Sequence, residues 1–417
     1  MVVPEFAAIG CRIETTDGAR AVVRYVGAVE GTEGEWVGIE YDEPTRGKHD
    51  GSHDGKRYFE CAAASSEGGA TLTPGSFVRT HKIRPSVTFC GAIETKYRTQ
   101  GANKRVDSNS AGAGATGASG AGATATDADA EGGAEGAAPP TAGEKGMHVL
   151  TARGQKIAIE LCLKKNDPGI VLSKVDRLYL PDTRIHTAGA PGEAAACGVA
   201  ASKLAILDLA GNLMPDWPAV ARFGEEFPAL VSFDLTGVRA AWPVAPPPLP
   251  SPFPCLSVLI LNRSGISWTQ AAALATALPA LEELSISGNG IVGLSSGGGE
   301  GEGSVTATVG FDRLKALSLE DNAIEDWEEV ERLAFLPSLE RLHLSGNRLT
   351  RVEYPVHLMG SGGGGGEGRV PFATLNALLL GNNRLDQWES VDALNDFPAG
   401  PYHTSQSPTF HALTRAP

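Results

Sequence analysis

The sequence predicts a multidomain chain: a small all-β barrel, then a disordered linker, then an α/β solenoid. Three observations predict it. Residues 9 to 89 alternate short apolar runs with glycine turns, the signature of closely spaced strands. Residues 101 to 146 collapse into Ala, Gly, Thr and Ser. From there on, a leucine and asparagine template returns at nearly constant intervals.

The 417 residues leave room for two or three domains, each with its own core. A net charge of -14 argues against broad phosphate binding, so no nucleic-acid partner is expected. The six cysteines, at 11, 61, 90, 162, 197 and 255, show no C-x-x-C pair and are expected to be reduced thiols of a cytosolic protein. A zinc site from Cys61 with His49, His53 or His81 would lack paired ligand spacing, so neither metal nor cofactor is expected. The first residues carry no basic region followed by an apolar core, and no run approaches eighteen apolar residues. Neither secretion nor a membrane partner is expected, and the location expected is cytoplasmic.

The first domain, assigned to residues 1–100, is organised around Gly47-Lys48-His49-Asp50-Gly51. A strand-like Trp36-Val37-Gly38-Ile39-Glu40-Tyr41 precedes this loop; Tyr58-Phe59 and Gly75-Ser76-Phe77-Val78 follow it. Glycines allow sharp turns there and leave Lys48 and backbone amides facing outward beside apolar residues, a surface suited to a peptide ending in a carboxylate. Basic residues gather nearby at Arg46, Lys48, Lys56, Arg57, Arg79, Lys82 and Arg84. They would attract an acidic tail.

This order of Trp, G-K-H-D-G, Tyr-Phe and Gly-Ser-Phe-Val closely resembles the CAP-Gly domain, a small twisted β-barrel that binds acidic tails ending in Glu-Glu-Tyr or Glu-Glu-Phe. The usual loop of that family reads G-K-N-D-G, and here His49 replaces the asparagine. With Gly51-Ser52-His53-Asp54-Gly55, the loop resembles the version in the tubulin-folding cofactor E family. The resemblance implies a groove in which Trp36 and Phe77 receive the terminal aromatic residue and Lys48 lies near the carboxylates. The tail-binding set expected is Trp36, Gly47, Lys48, His49, Asp50, Gly51, Phe59, Phe77 and Val78, with Trp36, Phe59 and Phe77 as the apolar wall.

Residues 101–146 hold too few large apolar side chains to offset the entropy of ordering. They read as a flexible linker that separates two folded units without fixing their orientation. Linking two weak contacts in this way raises affinity by about 10² to 10⁴ when both engage one molecule, so cutting the linker is expected to weaken capture of a partner.

Residues 147–400 carry the repeat L-x-x-L-x-L-x-x-N-x-L, clearest at Leu204 to Asn212, Leu281 to Ile291, Leu314 to Ile324, Leu339 to Leu349 and Leu375 to Leu385. Adding degenerate copies at Thr183, Val238 and Ser264 gives spacings of 29, 26, 26, 25, 33, 25 and 36. This is a leucine-rich-repeat pattern, with glycine-rich insertions at 297–303 and 360–368 in the two long gaps. Each copy should supply one strand with inward leucines and an asparagine that satisfies backbone groups where the chain turns. Helical stripes from Trp327 to Leu336 and from Trp388 to Phe397 end before Pro337 and Pro398. Tryptophans 217, 242, 268, 327 and 388 recur after the asparagine position and are expected in the solenoid core.

The concave face is expected to present Tyr179, Asp208, Asp234, Ile260, Ser285, Ser318, His343 and Leu379. Asp208 and Asp234 should lie on adjacent rungs about 5 Å apart as a solvated acidic patch. No acid/base or nucleophile pair emerges, so no enzyme is expected. Residues 401–417 read as a polar tail, and no ubiquitin-like domain is recognisable in the sequence.

Together the two halves resemble the tubulin-folding cofactor E family. The resemblance implies a cytoskeleton-associated chaperone that holds α-tubulin by its tail and body and works on the α/β heterodimer with other tubulin cofactors. A microtubule-associated adaptor is the alternative.

Overall fold

The computed structural model describes residues 4–62, 72–98, 172–243, 252–295, 311–359 and 370–398, with two further backbone strands within 148–158. The expected linker at 101–146, both glycine-rich insertions and the tail at 401–417 lie outside the described residues. Two compact units divide the chain, one of Met1–Glu94 with Val171–Pro417 and the other of Thr95–Ile170.

In the larger unit the chain begins with an antiparallel sheet. Its strands are β1 (Arg12–Thr15), β2 (Arg20–Ala28), β3 (Glu35–Tyr41), β6 (Gly75–Val78) and β7 (Ile83–Arg84), in the order β6-β3-β2-β1-β7. A small hairpin joins β4 (Ser52–His53) to β5 (Lys56–Arg57). Its turn residues, Asp54 and Gly55, both have positive φ, as a two-residue hairpin requires. Ile13, Ala21, Val23, Val37, Ile39 and Ile83 alternate inward to form the core, and Phe6, Val26, Tyr41 and Val78 pack against it.

One irregularity in this sheet matters for function. Pairing between β2 and β3 shifts after Val23, so that Val23 opposes Ile39 whereas Tyr25 opposes Gly38. The extra residue, Arg24, turns Tyr25 to the face opposite the core and returns Val26 to the core side. Simple alternation would have buried Tyr25 beside Val23.

The smaller unit contributes β9 (His148–Leu150) and β10 (Lys156–Ala158), paired antiparallel.

The repeats form one parallel eight-stranded sheet in sequential order: β11 (Arg177–Tyr179), β13 (Ile206–Asp208), β14 (Ser232–Asp234), β15 (Val258–Ile260), β16 (Glu283–Ser285), β17 (Ala316–Ser318), β18 (Arg341–His343) and β19 (Ala377–Leu379). Their central residues, from Leu178 through Phe233 to Leu378, align across the rungs and are buried. Asparagines tie successive turns together as the repeat requires. Asn212 donates to the carbonyls of Leu180 and Leu209 and accepts from the Ile185 amide, while Asn322, Asn347 and Asn383 make equivalent bonds one or more repeats further on.

Helices cover the other side of the sheet. Trp217–Glu226 is capped by Asp216, and Trp268–Ala277 opens with a capping box of Ser267 and Gln270. Trp327–Glu331 and Trp388–Asp392 are single short turns, shorter than their apolar stripes suggested. Val330, Leu333 and Leu336 are nevertheless buried, because irregular turns continue the same face inward.

The tryptophans do not share one fate. Trp327 is 1% exposed and packs near Phe397, and Trp268 stacks on Phe311 from the next repeat. Trp217 and Trp242 are half-buried and meet edge to face. Trp388 is 79% exposed, which corrects its expected place in the core: among the described residues no following repeat covers it.

The expectation that the two folded parts are unfixed is also corrected. Residues beyond β7 pack on the first repeats. Strand β8 (Val87–Thr88) pairs parallel with β12 (Ile185–Thr187), and the helix Phe89–Ile93 follows directly. Phe89 is fully buried, its ring 5.7 Å from that of Phe223 and 5.3 Å from that of Phe227. Arg20 pairs with Asp182, and Arg239 Nη1 donates to the Asp42 carbonyl at 3.1 Å.

Candidate functional site

The glycine loop is pinned to β6 by its backbone. The amides of Lys48 and His49 donate to the Gly75 carbonyl at 2.7 and 3.1 Å, and Gly75 returns a bond to the His49 carbonyl at 2.8 Å. Gly47 passes so close to Thr73 and Pro74 that a Cβ would overlap their backbone. Gly51 has φ +102° and lies against the Phe59 carbonyl, so both its conformation and its space require glycine.

Asp50 is a brace within this loop. One carboxylate oxygen accepts from the Ser52 amide at 3.1 Å and the other from Arg57 at 2.7 Å, which holds the carboxyl below its usual range. His49 braces the loop from the other side: its Nδ1 accepts from the Gly51 amide at 3.1 Å. The imidazole proton therefore sits on Nε2. Burial first, and the charge of His53 second, push the His49 pKa down, so the ring is neutral at physiological pH.

Around Phe77 the structure assembles a cluster of rings. His49 lies 4.9 Å from it, Tyr58 5.4 Å, Phe59 5.6 Å, and Tyr25 and His53 each 6.1 Å, centroid to centroid. Phe77, Tyr25 and Tyr58 are half-buried and leave part of this apolar surface open. Phe59, expected as exposed wall, is only 7% exposed; its ring lies against Gly38 and supports the cluster from beneath. Val78 points the other way, into the domain core.

Trp36 lies outside the ring cluster but on the same sheet face, two residues along β3 from Gly38, the partner of Phe77. Its Nε1 donates to Thr32 Oγ1 at 2.8 Å, and the Arg79 guanidinium lies 3.7 Å above its ring. That guanidinium is itself held by the Glu33 and Glu35 carbonyls at 2.6 and 2.8 Å. Trp36 is therefore fixed in place and partly exposed.

The basic residues divide sharply. Arg46 pairs with Asp17, Lys56 with Glu30, Arg57 with Asp50 and Arg84 with Glu14. Lys48 is exposed and makes no ion pair among the described residues. It is the loop's available cation; the amides of Lys48, His49 and Gly51 are engaged within the fold, which corrects their expected outward orientation. The bulge hides Tyr25 from a reading by alternation, Tyr58 stands outside the expected tail-binding set, and Arg79 is expected only among the basic residues; its cation pairing with Trp36 leaves no linear signal. Burial pushes the Cys61 thiol up to about 11, which keeps it protonated. No metal-holding cluster of His, Cys, Asp or Glu occurs among the described residues.

On the repeat sheet, Tyr179, Ile260, Ser285, Ser318 and Leu379 are half-buried. His343 is buried. Asp208 and Asp234 align on adjacent rungs, but they are only 7% and 9% exposed, which corrects the expected solvated patch. Each accepts from the amide two residues on, at 2.8 Å, and burial pushes the Asp234 pKa up. A second column, missed because only one flank of each central leucine was considered, runs from Arg177 through Val258 and Glu283 to Arg341 and Ala377. Arg341 reaches across a rung to Glu283 at 2.9 Å.

Fold and loop together define an architecture: a glycine-loop β-domain of CAP-Gly type followed by a solenoid of leucine-rich-repeat type. The CAP-Gly domain family matches residues 9–83. The particular likeness is to tubulin-folding cofactor E of Arabidopsis thaliana, 32% identical over 392 residues, covering 94% of this chain and 63% of that protein. Tubulin-specific chaperone E of Bos taurus is 28% identical over 93% of this chain and 61% of its own length; that of Danio rerio is 29% identical over 94% and 62%. The chain thus spans about three fifths of the length of these relatives. Human 5T4 (Wnt-activated inhibitory factor 1, Trophoblast glycoprotein) is a loose structural match, with TM-score 0.36 and 24% identity, covering 50% of this chain and 70% of that one.

Proposed function

We propose that this protein is a tubulin-folding chaperone that binds α-tubulin, taking its acidic, aromatic-ended tail in the CAP-Gly groove and its folded body on the concave repeat surface. The observation that carries the reading is the exposed Lys48 next in the chain to His49, whose ring packs on the partly open Phe77 and Tyr58 cluster, with Trp36 on the same sheet face. A terminal carboxylate and an aromatic side chain need those two features next to each other. The names of the relatives that match 93–94% of the chain support tubulin as the client. The activity is binding without chemistry: it assists assembly or dissociation of the α/β heterodimer together with other tubulin cofactors, in the cytoplasm and at the cytoskeleton.

The test is a pull-down of free tubulin dimer before and after enzymatic removal of its terminal aromatic residue. Capture should fall when that residue is gone. Equal capture would remove the groove from the proposal, and preferential sedimentation with microtubules over binding to free dimer would favour an adaptor instead.

A further inference from the structure

We propose that residues 87–93 are the N-terminal cap of the solenoid. The CAP-Gly domain is then docked on the first repeats by chain that precedes the Ala/Gly-rich segment, and that segment is an insertion instead of the joint between the two.

A stacked repeat protein must cover the apolar face of its first unit, which has no neighbour on that side. Here the first repeat is poorly equipped to do so. Its helix, Glu193–Ala196, has 4 residues, whereas the helix of the next repeat, Trp217–Glu226, has 10. Phe223 and Phe227 of that next repeat are nevertheless fully buried, and Phe89 is the ring packed on both. Phe89, Ala92 and Ile93 fall at helical spacing and are all buried, so this short helix presents one apolar face to the repeats.

The backbone is tied as well. The Val87 amide donates to the Arg184 carbonyl at 3.0 Å, and His186 Nδ1 bonds the Val87 carbonyl at 3.0 Å. Only Pro85 and Ser86 separate β7 of the CAP-Gly sheet from β8 of the cap, and proline restricts even that join. The Arg20 pair with Asp182 and the Arg239 bond to Asp42 hold the sheet at the same end of the solenoid. If the proposed function holds, tail and body of one client meet a surface assembled in advance, and the insertion does not set the distance between the two contacts.

The test needs no tubulin, so its failure is separate from failure of the proposed function. A protease recognition sequence is placed between residues 101 and 146 of the full chain, cut to completion, and the product run on a sizing column at micromolar concentration and high salt. The two pieces should co-elute at the mass of the uncut chain; separation would overturn the proposal. The same cut in a Phe89→Asp chain should release the CAP-Gly piece, and continued co-elution would show that residues 87–93 are not the cap. As a check that needs no variant, hydrogen exchange at the Val87 amide of the uncut parent should be slowed as in the repeat strands. Exchange at the rate of an open chain would also overturn it.

Discussion

Gly51 donates its amide to the Nδ1 of His49 across 3.1 Å, and the histidine ring rests on Phe77. The residue that departs from the G-K-N-D-G pattern thus holds the loop closed and completes the aromatic cluster, and it does both as a neutral ring.

Dependence on a neutral imidazole makes the loop sensitive to acid. The His49 pKa in the folded chain lies below the ordinary value of 6.5 because burial disfavours the charged ring. Its contribution to stability is therefore complete above that value and is lost as pH falls through the lower, folded one. Unfolding of the CAP-Gly domain, followed by denaturant titration between neutral and mildly acidic pH, should show a smaller decline in His49→Asn than in the parent. Equal declines would assign the effect to other groups.

Lys48 is exposed, and replacing it should leave the fold intact while weakening the tail. A bond to a charged group contributes about 1.5–3 kcal/mol, so Lys48→Ala should bind an acidic, aromatic-ended peptide roughly ten- to a hundredfold more weakly. Calorimetry at two salt concentrations would also show a shallower salt dependence. Unchanged affinity would exclude the lysine from the site.

Asn212 is fully buried and holds the Leu180 carbonyl and Ile185 amide of the repeat before it and the Leu209 carbonyl of its own. Asn212→Ala removes the bond that satisfies the Ile185 amide, at a cost of about 1–3 kcal/mol, and takes one donor each from the Leu180 and Leu209 carbonyls, which keep the Thr183 hydroxyl and the amide of residue 212, at about 0.5–1.5 kcal/mol each. A loss of about 2–4 kcal/mol in solenoid stability is expected by urea titration. Asn383, half-buried in the last described repeat, should cost less when replaced.

Trp327 and Trp388 occupy equivalent positions in the repeat pattern and should respond differently. Removing the buried ring, Trp327→Ala, should cost about 3–5 kcal/mol. Trp388→Ala should change stability by less than about 1 kcal/mol, because its ring is already in water. Similar losses at both sites in thermal melts of this chain would contradict the exposure seen at Trp388.

Much of this architecture is legible in the residues. Leucines at fixed spacing specify the parallel ladder because every strand must bury the same side chain, and the asparagine follows because each turn leaves the same backbone groups to satisfy. The loop glycines announce close backbone approach, and Trp36 and Phe77 do share one sheet face. Other features have no local cause. Phe59 and Val78 are as apolar as the residues that remain open, and only packing decides which of them face inward.

Sequence by itself determined the repeat, its register and the presence of a glycine loop beside aromatic residues, since each follows from short-range periodicity and from what glycine alone permits. Tertiary structure decided that a bulge at Arg24 brings Tyr25 to the groove, that ion pairs neutralise most nearby cations but leave Lys48 available, and that Phe89 lies beneath the helix of a distant repeat. The reason is physical: burial and charge pairing depend on neighbours in space, and those neighbours lie as far as 197 residues along the chain, from Asp42 to Arg239.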